Sequence, residues 1–402
     1  MSSKTTIKST KTSIKFSNTN KKNTIKEIIS EYKRVMKEFI DILWIIDDTP
    51  DFISKKIYSQ VDSWFTAALL QNAARQASGI VRQCKGKQVK RKFVINKLIS
   101  ENKLKRARKL QKIYDGISIS KPKLNNVGLT LGGRFAIMDF DNQTSFDGWI
   151  TLKCISKDIR LKIPFKKTKH FNKLLSLGKL KSGIRLSNKN ITFMFDVPEI
   201  KKKSTGSTLG IDIGLKNVIS CSNSHISKIN SHGHDLNSIC SILARKKGES
   251  KGFKRAQAHR TNYINWSINQ LNLDKVKQVN IEEIKYLRYK NKTSKKLSHW
   301  TYTDIFGKIE SYCEEHGVHV LKVNPTYTSQ RCSNCGFTRK SNRKGKLFKC
   351  SECGYTTDAD LNASINISLR LKPIWKKQRL KQMNRVGFYW LVEGQDCIVP
   401  VV

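Results

Sequence analysis

The sequence predicts a mixed architecture, in which an α/β domain is combined with an all-β part and an all-α part. Three observations lead to this prediction. From about residue 20 to residue 115 apolar residues recur with the period of a helix. From residue 127 to residue 196 short alternating runs are separated by turn residues, as in antiparallel sheets. After residue 207 strand and helix patterns alternate, which is typical of an α/β layer.

Three helices are predicted for the all-α part, over Thr24–Ile46, Ser54–Val81 and Arg91–Tyr114. A strand is predicted ahead of them at Thr12–Phe16, where polar and apolar residues alternate. A helical bundle without a binding role is the alternative for this part, and its excess of lysine and arginine disfavours that alternative.

The all-β part is predicted to be a small antiparallel barrel whose first strand is Thr12–Phe16, so that the helices form an insertion. The charged segment Lys201–Ser207 is predicted to link this half to the α/β domain. The remaining strand-like runs are Val127–Phe140, Asp147–Cys154, Ile159–Ile163, Gly183–Leu186 and Asn190–Asp196.

The composition predicts a nucleic-acid-binding protein. The chain has 402 residues, with 77 Lys and Arg against 31 Asp and Glu, so its formal net charge is +46. A charge of this size favours a polyanionic partner. Any single basic run is expected on a solvated face in the absence of other signals, but several of them together predict an extended contact surface. The runs are Lys85–Lys92, Lys103–Lys112, Lys166–Lys169, Lys201–Lys203 and Arg339–Lys349.

Neither a secretory signal nor an apolar stretch of about 20 residues is found, so we expect a cytoplasmic, nucleoid-associated protein without a membrane partner. Six of the ten cysteines show no pairing pattern, and we expect them to be reduced thiols. They are Cys84, Cys154, Cys221, Cys240, Cys313 and Cys397.

The other four cysteines predict a structural zinc site. They form two Cys-x-x-Cys pairs, Cys332 with Cys335 and Cys350 with Cys353. Four thiolates suit a closed tetrahedral Zn²⁺ site, although the 14-residue spacer is slightly shorter than the usual window of about 15–20 residues. Gly336 and Gly354 follow the two pairs, where the backbone often turns into the left-handed region. Cysteines without a metal are the less favoured alternative.

Three acids far apart in the sequence predict a magnesium-dependent catalytic centre. Asp212 lies inside an apolar strand pattern, Glu282 ends a second strand pattern, and Asp360 lies at the start of a helical pattern after the second cysteine pair. Two Mg²⁺ ions about 3.5–4 Å apart support phosphodiester hydrolysis, and carboxylates are their usual protein ligands. The alternatives are that Asp212 lies on a solvated strand face and that Asp360 or Asn362 is only a helix N-cap.

These acids lie in motifs that resemble a known family. The segments GIDIG (210–214), IEEI (281–284) and DADLNASINI (358–367) resemble the three motifs of a RuvC-type nuclease. The segments NPTYTSQRCSNCG and CSECGYTTDADLNASINI resemble the C-terminal signature of the TnpB family. These proteins are RNA-guided DNA endonucleases of IS200/IS605-type transposons and relatives of the compact type V CRISPR effectors. The resemblance covers about residues 208–366.

The resemblance implies the following roles and partners. Asp212, Glu282 and Asp360 are the catalytic acids that hold two Mg²⁺ ions, whereas Asp358 and Glu283 are the weaker candidates of each pair. The four cysteines bind Zn²⁺. The partners are a guide RNA of the omega type and double-stranded target DNA cut beside a short adjacent motif, with base pairing to the guide reading the sequence. The protein is expected to be a monomer on its RNA.

The resemblance also implies a domain order: a RuvC-like (RNase H-like) nuclease domain with an inserted zinc ribbon, preceded by a wedge-type β-barrel that a helical recognition domain interrupts. The expected boundaries are 1–19 and 116–203 for the barrel, 20–115 for the helical domain, 204–325 and 358–372 for the nuclease, 326–357 for the ribbon and 373–402 for a tail.

Three other functions stay open at this stage. A compact type V CRISPR effector has the same chemistry and differs in its genetic context. A cleavage-deficient RNA-guided repressor is disfavoured because all three catalytic positions are acidic. A zinc-ribbon nucleic-acid-binding protein without a guide would not retain an RNA on purification.

Overall fold

The computed structural model describes residues 5–116, 119–125, 127–140, 143–284, 294–371 and 384–393. The chain divides into two compact units, Met1–Glu199 and Ile200–Val402. Among the described residues, none of the helices has the length and apolar character required to cross a bilayer. Cys397 and most of the predicted tail lie outside the described residues.

The first unit contains seven strands and five helices within its described residues. In chain order they are β1 Thr5–Ser13, α1 Thr19–Ile45, α2 Lys55–Tyr58, α3 Ala67–Ser100, α4 Leu104–Asp115, β2 Leu129–Leu131, β3 Ala136–Asp139, β4 Gly148–Leu152, β5 Leu161–Phe165, α5 Lys169–Leu177, β6 Lys179–Leu186 and β7 Asn190–Pro198.

The strands of this unit form two antiparallel sheets, with the orders β1-β7-β6-β2 and β3-β4-β5. The first strand lies earlier in the chain than predicted, because β1 pairs with the whole of β7, from Thr5 opposite Pro198 to Ser13 opposite Asn190. Closure of these sheets into a barrel stays a prediction. Phe165, Phe171 and Phe193 are fully buried between them.

The helices of this unit differ from the prediction at three places. Helix α5 was not predicted, and the predicted helix Arg91–Tyr114 is divided, because α3 ends at Ser100 and α4 begins at Leu104. The predicted helix Ser54–Val81 is interrupted after Tyr58, and α3 then continues without a break to Ser100. Thr66 begins α3 as its N-cap, with its hydroxyl accepting from the amide of Leu69. A threonine N-cap satisfies an otherwise unpaired helix amide, so this local signal competes with the longer apolar period.

The second unit contains nine strands and five α-helices within its described residues. In chain order they are β8 Ser207–Asp212, β9 Ser220–Cys221, α6 Leu236–Arg245, α7 Lys251–Ile268, β10 Val276–Glu282, α8 Lys295–Ser298, α9 Tyr302–Glu315, β11 His319–Val323, β12 Phe337–Thr338, β13 Arg343–Lys344, β14 Leu347–Lys349, β15 Thr356–Asp358, α10 Ala359–Ser368 and β16 Phe388–Tyr389.

The main sheet of this unit has the strand order β11-β10-β8-β9. Strand β10 is parallel to both β8 and β11, and β9 returns antiparallel to β8. The predicted mixed sheet is therefore confirmed. Parallel strands place their carboxyl ends at one edge of the sheet, and β8 and β10 end at Asp212 and Glu282.

Strands β13, β14 and β15 form a small antiparallel sheet. In the sequence, β13 and β14 lie between the two cysteine pairs, and β15 lies between the second pair and α10. A second, two-stranded sheet pairs β12 with β16, Phe337 with Tyr389 and Thr338 with Phe388. The described part of the tail thus packs against the segment that carries the first cysteine pair. The domain boundaries within each unit stay a prediction.

Candidate active site

Asp212 and Glu282 lie side by side because of the register of β8 and β10. Ile211 is paired with Ile281, and each acid is the next residue along its strand. The isoleucines are fully buried, whereas the acids are only partly buried at the strand ends. The alternative of a fully solvated strand face for Asp212 is excluded by this position.

Asp360 is brought to the same place by helix α10, which packs on β8 and β10. Asp360 is buried there, with 7% of its surface exposed. The expectation that Asp360 or Asn362 caps this helix is wrong, because Asp358 is the N-cap and its carboxylate accepts from the amides of Asp360 (2.8 Å) and Leu361 (3.1 Å). The Asp360 side chain is therefore available for another role.

Asp212 interacts electrostatically with each of the other two acids. Burial, followed by repulsion from Asp360, raises the pKa of Asp212 to about 6. Burial, followed by repulsion from Asp212, raises the pKa of Glu282 to about 7. Asp212 thus interacts with both other carboxylates and is the central member of the three. Mutual repulsion of this kind is relieved when a cation binds between the groups.

Arg343 and Lys346 of the ribbon hairpin contact the same cluster, and the sequence analysis did not identify them as site residues. The guanidinium of Arg343 lies 3.1 Å from Oδ1 of Asp360, and the ammonium group of Lys346 contacts Oδ2. Both residues belong to the basic run Arg339–Lys349, which predicted only a nucleic-acid contact. Their orientation depends on the pairing of β13 with β14 and of β14 with β15, and on where α10 packs, so the run by itself does not indicate it.

Glu282 is oriented by Thr328, which the sequence analysis also missed. The buried Thr328 hydroxyl donates a hydrogen bond to Oε1 of Glu282. The carbonyl oxygen of Thr328 accepts from Nδ2 of Asn366 at 2.9 Å, and Asn366 belongs to α10. This loop therefore connects the strand that carries one acid with the helix that carries another.

The loop is fixed further by an amide and guanidinium network. Nη1 of Arg331 donates to Oδ1 of Asn366 at 2.7 Å, and Nδ2 of Asn362 donates to the carbonyl oxygen of Arg331 at 2.8 Å. Oδ1 of Asn362 accepts from the amide of Ser333 at 2.9 Å. Buried polar groups that satisfy one another in this way hold a single arrangement. The asparagines of the motif DADLNASINI thus bind the helix to the ribbon.

The three acids suit divalent hard cations by their chemistry, although their carboxylate oxygens do not all lie within 4.8 Å of one another, a spacing that among the described residues only the four cysteines meet. They offer three carboxylates from three elements, and carboxylate oxygens are the ligands that Mg²⁺ prefers. Burial, with repulsion between the acids, raises the pKa values of Asp212 and Glu282, so their charged forms are disfavoured until a cation binds beside them. Asp360 differs from these two acids, because Arg343 and Lys346 form ion pairs with its carboxylate.

The four ribbon cysteines fit a zinc ion. Their sulfur atoms all lie within 4.8 Å of one another, and the Cys332–Cys353 and Cys335–Cys350 Sγ distances are both 3.7 Å. Tetrahedral coordination with Zn–S bonds of about 2.3 Å requires sulfur atoms about 3.8 Å apart. The predicted left-handed glycines are confirmed, with φ of +83° at Gly336 and +72° at Gly354.

We predict that Gly210→Ala destabilises the second unit. A Cβ atom at this position would overlap the carbonyl oxygen of Ser364 and lie 2.5 Å from the amide nitrogen of Ser368, so α10 must move away from β8. We expect the free energy of unfolding to fall by about 2–3 kcal/mol in urea titrations. Gly307→Ala in α9 meets no atom within 4 Å and should instead stabilise by about 0.5–1 kcal/mol. Equal effects of the two substitutions would contradict this packing.

We predict that Glu282→Gln stabilises the protein in magnesium-free buffer at pH 8. The pKa of Glu282 is raised from an ordinary 4.5 to about 7, so the folded state holds more protons and its stability falls as the pH rises between these values. The variant should gain about 1–2 kcal/mol in the free energy of unfolding at pH 8 and almost nothing at pH 4. Asp274→Asn, on an exposed turn before β10, is the control. The same difference at both pH values would show that the effect is not electrostatic.

The fold and site define a class of protein: a mixed α/β unit whose sheet-edge carboxylates lie beside a four-cysteine zinc ribbon. Within this unit, residues 302–367 match the family model described as Cas12f1-like, TNB domain. The matched segment includes all four cysteines and Asp360.

The curated relatives confirm the predicted resemblance. The chain is 44% identical over 77 residues to the CRISPR-associated endodeoxyribonuclease Cas12f1 of Sulfoacidibacillus thermotolerans, which covers 19% of this chain and 18% of that protein. It is 26% identical over 253 residues to a Cas12f1 of an uncultured archaeon, covering 53% and 48%. It is 54% identical over 52 residues to the putative RNA-guided DNA endonuclease InsQ of Escherichia coli K12, covering 13% of each. The chain thus spans at most about half the length of these relatives.

Two solved structures align with most of the chain at low sequence identity. The mini-RNA-guided endonuclease CRISPR-Cas phi3 aligns with a TM-score of 0.49 at 11% identity, over 90% of this chain and 92% of that one. A Cas12f1 complex with single guide RNA and target DNA aligns with a TM-score of 0.42 at 15% identity, over 90% and 99%.

Proposed function

We propose that this protein is an RNA-guided DNA endonuclease of the TnpB type, which hydrolyses phosphodiester bonds of double-stranded DNA with two Mg²⁺ ions at a single site. The observation that supports the proposal is that Asp212, at the end of one strand, lies near enough to Glu282 and to Asp360 to repel both, and that Asp360 follows the four-cysteine ribbon. The names of the relatives, endodeoxyribonuclease and RNA-guided DNA endonuclease, support the same reaction class.

The three carboxylates would act as ligands with different positions. Asp212 interacts with both other acids, and we propose that it would be the central ligand of the ions, with Glu282 and Asp360 as the two outer ligands. When bound, the ions would polarise the scissile phosphate and lower the pKa of the attacking water. Thr328 would keep the Glu282 carboxylate oriented, and the Arg331 network would keep α10 in place.

Arg343 is positioned to contribute to the reaction as well. Besides contacting Asp360, its guanidinium lowers the pKa values of Asp212 and Glu282 and so partly offsets the effect of burial. In the proposed reaction negative charge develops on the phosphate beside these acids, and a guanidinium stabilises such charge with directed hydrogen bonds.

Nucleic-acid partners are supported by charge and shape in the first unit. A cavity of about 660 Å³ is lined in part by cationic side chains from β1, α1 and the β6–β7 region. Lysine and arginine side chains that converge on a concave surface bind phosphate backbones in a sequence-independent way. We propose that this unit holds the guide RNA and its duplex with DNA. The four cations are Lys11, Lys33, Arg185 and Lys189.

The finer architecture also belongs to this proposal. We propose that the second unit is a RuvC-like nuclease domain interrupted by the zinc ribbon, and that the first unit is a wedge-type barrel with an inserted helical recognition domain. The order of α/β elements after residue 207 and of the two antiparallel sheets before it supports this division. We propose a monomer on its RNA, in the cytoplasm of a prokaryote.

The test is to express the protein together with the DNA that naturally flanks its gene, to purify it, and to sequence the RNA that remains bound. That RNA, reprogrammed at its guide end, should direct cleavage of a matching plasmid in Mg²⁺ but not in EDTA. Retained RNA and target binding without cleavage would favour the repressor function instead. A purified protein without specific RNA would overturn the guided mechanism. The RNA's locus of origin separates a transposon-associated enzyme from a CRISPR effector.

A further inference from the structure

The carboxylate of Asp360 is held by two cations of the ribbon hairpin. Nη2 of Arg343 lies 3.1 Å from Oδ1, and Nζ of Lys346 contacts Oδ2. The Asp360 side chain is only 10% exposed, whereas that of Lys346 is 50% exposed. Each oxygen of this acid therefore has a cationic partner from the hairpin.

Lys346 is placed at this acid by the backbone of the hairpin. Its carbonyl oxygen accepts from the amide of Ala359 at 2.8 Å, at the first turn of α10. The next residue, Leu347, is paired with Asp358 in the β14–β15 ladder. The backbone of Lys346 is therefore held beside the first turn of the helix that carries Asp360.

The two cations differ in how easily they can leave. The Arg343 side chain is 29% exposed, and its Nε donates to the carbonyl oxygen of Gly345 at 3.2 Å. The ammonium group of Lys346 is at the end of a half-exposed chain, which can rotate into solvent at low cost. A divalent ion that binds Asp360 needs one of its oxygens, so Lys346 is the cation that yields.

We propose that Lys346 is an internal counter-cation, which occupies Asp360 in place of a divalent ion and so determines the divalent-ion concentration at which the centre assembles. This inference rests on the metal site of the proposed function. It assigns a role to a residue outside the three carboxylates, and it predicts a gain rather than a loss when the residue is neutralised. A positioning role of Lys346 for Asp360 would predict the opposite sign.

The test is Mn²⁺ binding to the zinc-loaded, RNA-free protein, followed by electron paramagnetic resonance of the free ion. Lys346→Gln should lower the dissociation constant for Mn²⁺ about two- to fivefold, the range expected for loss of one exposed ion-pair competitor. Lys344→Gln is the matched control, since it removes the same charge from an exposed position on the same hairpin. It should change the constant far less. Lys346→Arg, which keeps a cation, should resemble the wild type.

A second readout is the Mg²⁺ concentration that gives half-maximal cleavage, which should fall for Lys346→Gln by a similar factor. Unchanged or weaker Mn²⁺ binding by Lys346→Gln, with normal zinc content and unfolding, would overturn the proposal. Asp212→Ala should leave the free-Mn²⁺ signal undiminished, and if this variant still binds Mn²⁺, the metal site itself is wrong. If the Mn²⁺ results hold but no guided cleavage is found, the proposed function fails while the role of Lys346 stands.

Discussion

The Asp212→Ala variant is expected to retain its guide RNA and bind target DNA while leaving that DNA uncut. Asp212 is the central carboxylate, since it interacts with both Glu282 and Asp360. Its removal would leave Glu282 and Asp360 without the carboxylate that lies near both of them. We expect the cleavage rate to fall at least about a thousandfold, measured on a supercoiled plasmid with saturating protein and RNA.

We expect the Asp212→Ala variant to remain folded, so that its loss of cleavage reports on the site. The pKa of Asp212 is raised by burial and by Asp360, so the charged side chain destabilises the magnesium-free protein at neutral pH. The variant should therefore unfold at the same or a higher urea concentration than the wild type. Asp274→Ala, which removes an exposed acid of the same unit, should cut normally. Continued cleavage by Asp212→Ala would exclude this acid cluster as the catalytic centre.

The Cys350→Ser variant is expected to lose its zinc ion and, with it, the folded ribbon. Cys350 is 2% exposed, and the small buried cluster around it consists of little more than Cys332, Phe348 and Ala359. So small a core does not fold without its metal, and structural zinc contributes on the order of 10 kcal/mol at neutral pH. Cleavage should be lost with the metal, because the ribbon carries the Arg331 contacts that fix α10 and therefore Asp360.

Zinc content by mass spectrometry and thermal unfolding measure this effect directly. The wild type should hold one zinc ion per chain, and the variant should hold almost none and show a lower unfolding temperature. Cys154→Ser is the control, because Cys154 is an exposed free thiol of the first unit. A zinc-free variant that still folds and cuts would contradict the dependence of Asp360 on the ribbon.

The comparison of sequence and structure differs between the two halves of the chain. Before residue 200 the apolar periods indicated helices and strands, but helix α5 and the break between α2 and α3 were missed. Both depend on single capping residues, Thr168 and Thr66, which act over one turn and hardly change a periodic pattern. After residue 200 the alternation of strands and helices predicted the mixed sheet, which the structure confirms, although the capped helix α6 was also missed.

The N-cap of α10 shows why a correct motif can still be interpreted incorrectly. From the sequence, Asp358, Asp360 and Asn362 all have side chains that can cap a helix. The pairing of Asp358 with Leu347 in the ribbon sheet places that residue at the start of the helix. Asp360 then turns to the acid cluster, and Asn362 turns to the backbone of Arg331 and Ser333. Long-range pairing, and not propensity, separates the three roles.

The sequence by itself determined which side chains are available: four cysteines in two closely spaced pairs, three acids at element ends, and a large excess of positive charge. These are local or additive properties, so they do not depend on how the chain folds. Only the tertiary structure decided that Arg343 and Lys346, which lie 17 and 14 residues before Asp360, face that acid. The register of β13, β14 and β15 determines which way a hairpin side chain points, and the packing of α10 on β8 and β10, which are distant in the sequence, determines where Asp360 lies.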